Sequence, residues 1–195
     1  MNQVQLAMSI ANSNNGVITS EMADSKNIKR QILSYLVSKG LLSKTGRGVY
    51  TTPLSFDDPY LNIQTRFKRG VYSEISALYL LNLTDIIPNK IYITFPQGYN
   101  CTNPNNGGLI CRTTKKPELG KTIVKDMMGN YVSCYNAERT LCDIVKKRND
   151  VDIRIIVDAF KTYCISTNKN IPLLMEYSSI FKVEKQIRNY LEVLL

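Results

Sequence analysis

The segment that most constrains the fold runs from residue 24 to residue 50 and reads DSKNIKRQILSYLVSKGLLSKTGRGVY. At about 100° per residue, Ile28, Ile32, Tyr35 and Leu36 fall on one arc of a helix, while polar and basic side chains fall on the opposite arc. A glycine ends this helix, and the Gly-Arg-Gly sequence after it predicts a turn between two short strands. The segment is therefore predicted to be an amphipathic helix followed by a β-hairpin.

Two shorter helices are predicted before this segment. The first is indicated by apolar residues at helical spacing, Val4, Leu6, Ala7 and Ile10. Thr19 is suited to cap a second helix over Ser20–Ala23, and Asp24 or Ser25 is suited to cap the third. Three helices followed by a two-stranded hairpin is the order of a winged helix-turn-helix, which we predict for residues 1–52.

The rest of the chain has a different pattern. Residues 53–59, PLSFDDP, have the composition of a linker. Residues 60–195 contain alternating strand patterns, a hairpin turn at Met128–Asn130 and then four segments with helical spacing. The predicted fold class is α+β, with the N-terminal winged helix-turn-helix followed by a larger C-terminal domain of a small antiparallel sheet and a helical bundle.

The charge of the chain favours an anionic partner. The formal net charge is +9, from 25 Lys and Arg against 16 Asp and Glu. Residues 1–52 hold six of these cations and only two acids, Glu21 and Asp24. DNA or RNA is the partner that such a distribution indicates.

Candidate DNA-binding residues follow from the predicted helix-turn-helix, because the N-terminal turns of its recognition helix enter the major groove. The candidates on that helix are Ser25, Lys26, Asn27, Lys29 and Arg30. The candidates on the wing are Lys44, Thr45 and Arg47. Lys and Arg bind phosphates or guanine, and Asn binds adenine. The simpler interpretation is that these are solvated charges on a surface helix and loop.

The second domain carries further basic residues. A possible DNA-binding or antitoxin surface comprises Lys146, Lys147, Arg148, Arg154 and Lys161. Lysines also cluster on the predicted strands, at Lys115, Lys116, Lys121 and Lys125. Helix faces with such a run commonly contact only water, and the strand lysines are the less favoured of the two groups.

The residues that an enzyme needs are scarce. The chain has no histidine, and therefore lacks the commonest general base and metal ligand. Its carboxylates are scattered, and no phosphate-binding loop or nucleophile elbow is present. Five widely spaced cysteines without a C-x-x-C pair predict reduced thiols rather than disulfides or a zinc site. We therefore expect no catalytic residues, no metal and no cofactor.

The chain has no apolar run long enough to cross a membrane and no signal peptide at its start, so a cytoplasmic protein is expected.

Several stretches together resemble the AbiEi family of bacterial antitoxins. They are the basic helix, GRGVY, GVYSEISALYLLNLTDIIPNKIYITFPQGYN, YNAERTLCDIVKKRNDVDIRIIVDAF and VEKQIRNYLEVLL. The resemblance implies a winged-helix domain that binds inverted repeats in its own promoter and represses the operon. It also implies a C-terminal domain that counteracts a nucleotidyltransferase-like toxin, without a stable complex, in type IV abortive infection against phage.

The resemblance places the recognition helix and the wing on the eight candidate residues already named. The chain departs from the family pattern at Ser73–Leu78, where relatives commonly read S-H-E-T-A-L and this chain has no histidine. A different hypothesis is a protein-interaction module whose C-terminal helices bind the toxin directly. A third, a nucleic-acid-modifying enzyme, is disfavoured by the missing histidine.

Overall fold

The structure is a computed structural model that describes residues 2–55, 58–101, 108–146 and 151–194. It divides into two compact units. Unit 1 comprises Met1–Lys68 and Lys125–Val132, and unit 2 comprises Arg69–Val124 and Ser133–Leu195.

Unit 1 contains four helices and a three-stranded antiparallel sheet among its described residues. In chain order these are α1 (Gln3–Ser13), β1 (Val17–Thr19), α2 (Ser20–Ser25), α3 (Arg30–Ser38), β2 (Ser43–Gly46), β3 (Val49–Thr51) and α4 (Pro59–Arg66). The strand order is β1-β3-β2. Lys44 pairs with Tyr50, and Gly46 pairs with Val49 across an irregular register.

Local sequence signals account for the first two helices. Asn2 and Gln5 form a capping box at the start of α1. The Thr19 hydroxyl accepts the Met22 N–H at 3.1 Å and caps α2, as the sequence predicts. The three helices bury one apolar cluster, which consists of Ala7, Ala11, Ile18, Ala23, Ile28, Leu33, Leu36 and Leu42.

The third helix begins later than the sequence predicts. Asp24 and Ser25 are the end of α2 rather than a cap, and Asn27 has a left-handed backbone with φ of 55°. The N–H groups of Asn27 and Ile28 bind the carbonyls of Asp24 and Ala23 at 3.0 and 2.9 Å, which closes α2 with a tight turn. The third helix therefore starts at Arg30, with Lys29 as its N-cap.

The linker predicted at residues 53–59 lies within unit 1. Asp58 caps α4 by accepting the Leu61 N–H at 3.0 Å, and Leu61 packs against Val17 and Val49. Phe56 and Asp57 lie outside the described residues. Unit 1 thus continues to Lys68 because α4 completes its apolar packing.

Unit 2 combines a five-stranded sheet with helices. Its elements are β4 (Val71–Tyr72), α5 (Glu74–Leu80), β5 (Ile91–Pro96), β6 (Leu109–Thr114), β7 (Lys121–Lys125), β8 (Tyr131–Tyr135), α6 (Ala137–Ile144), α7 (Ile153–Ile165), α8 (Ile171–Phe181) and α9 (Glu184–Leu194). The tip of the hairpin formed by β7 and β8 belongs to unit 1.

The sheet of unit 2 is mixed, whereas the sequence predicted an antiparallel one. The strand order is β6-β5-β4-β8-β7. The β4 strand is antiparallel to β5 but parallel to β8, and β5 is parallel to β6. Strand direction depends on crossover connections, which alternation along a single strand does not reveal.

The helices of unit 2 bury a second apolar cluster that includes Leu141, Phe160, Leu174 and Ile187. Tyr163 joins two of these helices through a buried polar contact. Its hydroxyl donates to Glu138 Oε1 and accepts the Asn170 N–H, both at 2.9 Å. Burial raises the pKa of Tyr163, so the phenol stays protonated and keeps this contact.

The cysteines differ in part from the prediction. Cys101 and Cys111 form a disulfide with a Cα–Cα distance of 6.5 Å, so the prediction of reduced thiols is wrong for this pair. Cys111 lies on β6, which pairs with β5, and Cys101 follows β5 along the chain. The pairing of the two strands brings the cysteines together, and the spacing of cysteines in the sequence does not reveal that pairing. Cys134, Cys142 and Cys164 are free and buried, and burial raises the pKa of Cys142 to about 12.

Two carboxyl groups meet inside unit 1. Asp126 Oδ1 accepts the N–H groups of Met128 and Asn130 at 2.9 Å, and Asp126 Oδ2 is buried without a hydrogen-bond donor among the described residues. Asp58 Oδ2 accepts from Asn130 Nδ2 at 2.7 Å. Burial and the neighbouring Asp58 raise the pKa of Asp126 from 3.8 to about 7. One shared proton relieves the repulsion between the two carboxyl groups.

We predict that this pair makes the stability of unit 1 depend on pH. The folded pKa of Asp126 lies above its unfolded value, so its contribution is fully present below about pH 4 and is lost as the pH rises through about 7. Asp126→Asn keeps the acceptor oxygen and adds an N–H donor for Asp58. In urea unfolding at pH 8, we expect the variant to be more stable than wild type by about 1–3 kcal/mol, and nearly equal to it at pH 4.

Asp85→Asn, at an exposed carboxyl, is the matched control and should leave the pH dependence unchanged. An unaltered pH profile in Asp126→Asn would contradict the shared proton.

Candidate nucleic-acid interface

The predicted recognition residues lie on the turn between α2 and α3 rather than along a helix. Ser25 ends α2, Lys26 is its C-cap, Asn27 is left-handed, Lys29 is the N-cap of α3 and Arg30 is its first residue. All five are exposed. The structure thus brings the predicted group together on one turn.

The α1 helix holds this turn in place. Gln3 Nε2 donates to the Asn27 carbonyl at 3.3 Å, and Gln3 Oε1 accepts the Lys29 N–H at 3.4 Å. The side chains of Lys26 and Lys29 remain exposed, and among the described residues no carboxylate lies within 4.0 Å of either ammonium group. These two lysines are therefore available cations on a positioned backbone.

Arg30 differs from these lysines because its charge is already paired. Its guanidinium donates to both carboxylate oxygens of Asp24, at 2.6 and 3.2 Å. The hydrogen bond from Arg30 lowers the pKa of Asp24, and Asp24 raises that of Arg30. Both side chains are largely exposed, so the pair is screened by water and salt and is open to exchange with another anion.

The outer face of α3 is a feature that the sequence interpretation missed. Its exposed positions follow the spacing i, i+3, i+4 and i+7 of one helical stripe, at Gln31, Ser34, Tyr35 and Ser38. Tyr35 was expected in the apolar core but is 48% exposed. All four residues carry uncharged hydrogen-bonding groups. A helix start at Arg30 would have indicated this stripe.

The β2–β3 hairpin, which the sequence predicts to be the wing, presents the other predicted group. Lys44 and Thr45 on β2 and Arg47 in the turn are exposed. Gly48 has φ of 76°, and its carbonyl accepts the Ser20 N–H at 2.8 Å. This bond ties the wing turn to the start of α2. Unit 1 therefore carries α2, α3 and the wing as connected elements.

The basic residues predicted for the second domain are mostly paired with acids close in sequence. Lys146 binds Asp143 and is largely buried. Arg154 binds Asp152 at 2.8 Å, and this hydrogen bond lowers the pKa of Asp152 to about 2. Lys161 lies 4.0 Å from Asp158. Lys147 and Arg148 lie outside the described residues.

No group of three or more histidine, cysteine, aspartate or glutamate side chains is arranged to hold a metal ion within residues 2–55, 58–101, 108–146 and 151–194. Over the same ranges, every helix is too short or too polar to cross a bilayer.

Comparisons with known proteins address the fold and the family. The family model described as "Transcriptional regulator, AbiEi antitoxin" matches residues 5–53. The matching solved structures include the crystal structure of the RV2827C protein from Mycobacterium tuberculosis, with 14% identity and a TM-score of 0.55, over 89% of this chain and 70% of that one. At this identity the likeness shows a shared fold alone. No curated protein matches the sequence. The predicted resemblance to AbiEi antitoxins is confirmed, with the match on the segment from α1 to β3.

We predict that the wing turn requires glycine at position 48. A Cβ there would lie 3.2 Å from Ser20 Oγ on a left-handed backbone. Gly48→Ala should lower the free energy of unfolding by about 1–3 kcal/mol. Gly40→Ala is the matched control, since Gly40 is also left-handed but has no atom within 4 Å of the built Cβ. Urea unfolding measures the free energy of unfolding of both variants. An equal loss of stability in the two would show that crowding against Ser20 contributes nothing.

Proposed function

We propose that this protein is a DNA-binding autorepressor and antitoxin, because the model of the AbiEi antitoxin family of transcriptional regulators matches residues 5–53. The order of elements from α1 to β3 supports assigning these residues as a winged helix-turn-helix, with α3 as the recognition helix. The observation that carries the proposal is the uncharged polar stripe on α3. The turn before it and the wing carry Lys26, Lys29, Lys44 and Arg47, which have no carboxylate within 4.0 Å among the described residues.

The stripe and the cations suit different parts of DNA. Gln31, Ser34, Tyr35 and Ser38 expose groups that hydrogen-bond base edges in the major groove, and glutamine pairs well with adenine. Lys26, Lys29, Lys44 and Arg47 are suited to phosphates, which fix position without reading sequence. We assign base recognition to the stripe and backbone contact to the cations.

We further propose that the operator contains inverted repeats in the protein's own promoter, as the AbiEi resemblance implies. A twofold repeat is read by two copies of a helix-turn-helix, one in each half-site. Autorepression then follows from occupancy of the promoter. The protein would act in the cytoplasm and without catalysis of its own.

The antitoxin activity is assigned to the second domain. We propose that it counteracts a nucleotidyltransferase-like toxin in type IV abortive infection of phage-infected cells, without a stable complex. One observation favours the alternative of direct toxin binding. An open, mainly apolar groove of about 400 Å³ between α7 and α9 is lined by Val157, Tyr190 and the 83%-exposed Val193. Co-purification of a stoichiometric complex that Val193→Glu abolishes would favour direct binding.

The experiment that tests the proposal is a gel shift on the DNA upstream of the gene beside a scrambled duplex of equal length. We expect selective binding to the upstream DNA. Gln31→Ala and Tyr35→Ala should each weaken that binding by about 1–3 kcal/mol, since each removes a base contact, and should leave binding to the scrambled duplex unchanged. Ser9→Ala, on the exposed face of α1, is the matched control.

Equal weakening on both duplexes would contradict base recognition by α3. Equal wild-type affinity for both duplexes would contradict a specific regulator.

The phosphate contacts predict a dependence on salt. Lys44→Gln and Arg47→Gln should each weaken binding to both duplexes and reduce the slope of log K against log salt by about 1. Asp24→Asn should act in the opposite direction, because it frees the Arg30 guanidinium for a phosphate. Lys90→Gln, at an exposed lysine of unit 2, is the control. Unchanged slopes in the wing variants would exclude the wing from the interface.

A further inference from the structure

Unit 2 contains an open cleft of about 480 Å³ that the DNA-binding proposal does not use. Four lysines from separate parts of the unit line it, and we name it the lysine cleft. They are Lys115 and Lys116 after β6, Lys146 after α6 and Lys182 after α8. Sequence spacing alone does not bring these four together, because more than sixty positions separate the first from the last.

The cleft lies where ligand sites in sheets with parallel strands are commonly found. The parallel strands β5 and β6 both end beside it, with Pro96 paired to Thr114 in register. The N–H of Gln97 donates to the Thr114 carbonyl at 2.8 Å, which holds the two strand ends together. Ligands in open α/β sheets bind outside the carboxyl ends of such strands.

The charge at the cleft is not balanced. Lys115, Lys116 and Lys182 are exposed, and among the described residues no carboxylate lies within 4.0 Å of their ammonium groups. No acidic side chain lines the cleft within the part of the chain that the structure describes. Like charges held close together attract anions strongly, because each adds to the same local potential.

Beneath this surface two buried cations share one carboxylate. Arg139 is 1% exposed and donates from Nε to Asp143 Oδ2 at 2.8 Å, while Lys146 binds Asp143 Oδ1. Arg139 also donates to the carbonyls of Lys116 and Leu119 at 3.1 and 3.0 Å. The trio therefore carries one net positive charge, and Arg139 fixes the backbone that presents Lys116.

The cleft also has an apolar wall. Ile180 and Phe181 line it, and the Phe181 ring lies 4.1 Å from the charged groups of both Arg139 and Lys146. Thr113 and Thr114 add hydroxyl groups. Its volume is within the range of about 300–1,000 Å³ that small-molecule sites occupy. A concave site that combines lysines, hydroxyls and an apolar wall fits a small phosphorylated molecule better than an extended duplex.

We propose that the lysine cleft binds a nucleoside di- or triphosphate, with its phosphates on the lysines and its base against Ile180 and Phe181. This site is distinct from the residues assigned to DNA recognition and does not rest on that assignment. The polyphosphate supplies the three or four negative charges that the cleft leaves unbalanced.

The test is isothermal titration of the full chain with ATP, inorganic triphosphate and AMP in magnesium-free buffer. We expect one ATP per chain, inorganic triphosphate binding several-fold weaker because it lacks the base that packs against Ile180 and Phe181, and AMP binding at least about tenfold weaker because it lacks the outer phosphates. The double variant Lys116→Gln and Lys182→Gln should weaken ATP binding about tenfold or more. Lys90→Gln with Lys169→Gln removes the same charge at exposed lysines outside the cleft and is the matched control.

Three outcomes would overturn the proposal. The first is absence of saturable ATP binding. The second is an equal loss in the cleft and control variants, which would mean attraction to net charge alone. The third is a cleft variant that loses duplex DNA binding while the wild type binds no small phosphate, which would assign the cleft to nucleic acid. An unfolding temperature of the cleft variant equal to that of the wild type, without ligand, verifies that the variant folds. Lys115→Gln provides a second variant, on the exposed loop.

Discussion

The turn between α2 and α3 is the constraint on which the proposed DNA-binding face depends. Asn27 takes a left-handed backbone, which costs most residues with a side chain about 1–2 kcal/mol and costs Asn less, because its short polar side chain tolerates this conformation. The turn places Ile28 in the core at 2% exposure, and burying a side chain of that size contributes about 1.5–3 kcal/mol. Burial therefore outweighs the strain. The same turn determines that α3 begins at Arg30 and that Gln31, rather than Lys26, lies on its first exposed turn.

In the proposed interface, this geometry separates the cations from the side chains assigned to base recognition. The exposed face of α3 carries uncharged polar groups, while the cations without an acidic partner among the described residues lie on the turn and the hairpin. Arg30 is the exception, because it is paired with Asp24. Exposed pairs of this kind are screened by water and salt, so a phosphate can displace the carboxylate at little cost. Positive charge in the sequence thus pointed to the turn and the hairpin, but it did not single out the uncharged residues that we propose as base readers.

Local features of the fold were predictable from the sequence, whereas long-range features were not. The Thr19 cap and the glycine turn of the wing depend on neighbouring residues, and both are where the sequence predicts. The mixed sheet and the Cys101–Cys111 bond depend on strands that meet through crossovers. The prediction that Asp24 or Ser25 caps the third helix failed for a different reason. Asp24 is a good N-cap by type, but the buried Ile28 requires the left-handed residue before it, and this packing overrides the local preference.

Buried carboxyl groups are accommodated in different ways in the two units. Asp126 meets Asp58 and is raised in pKa, so the pair is stable when it holds a proton. Asp143 instead accepts hydrogen bonds from two cations, Arg139 and Lys146. An apolar replacement for such a buried cluster is often as stable as the cluster itself, so stability alone does not explain its presence. What the cluster adds is a positioned Lys116 backbone and one unbalanced positive charge beneath the cleft. A phosphate is the ligand that we propose for this cleft, since it would gain a net attraction from the unbalanced charge and contact a lysine whose backbone Arg139 holds.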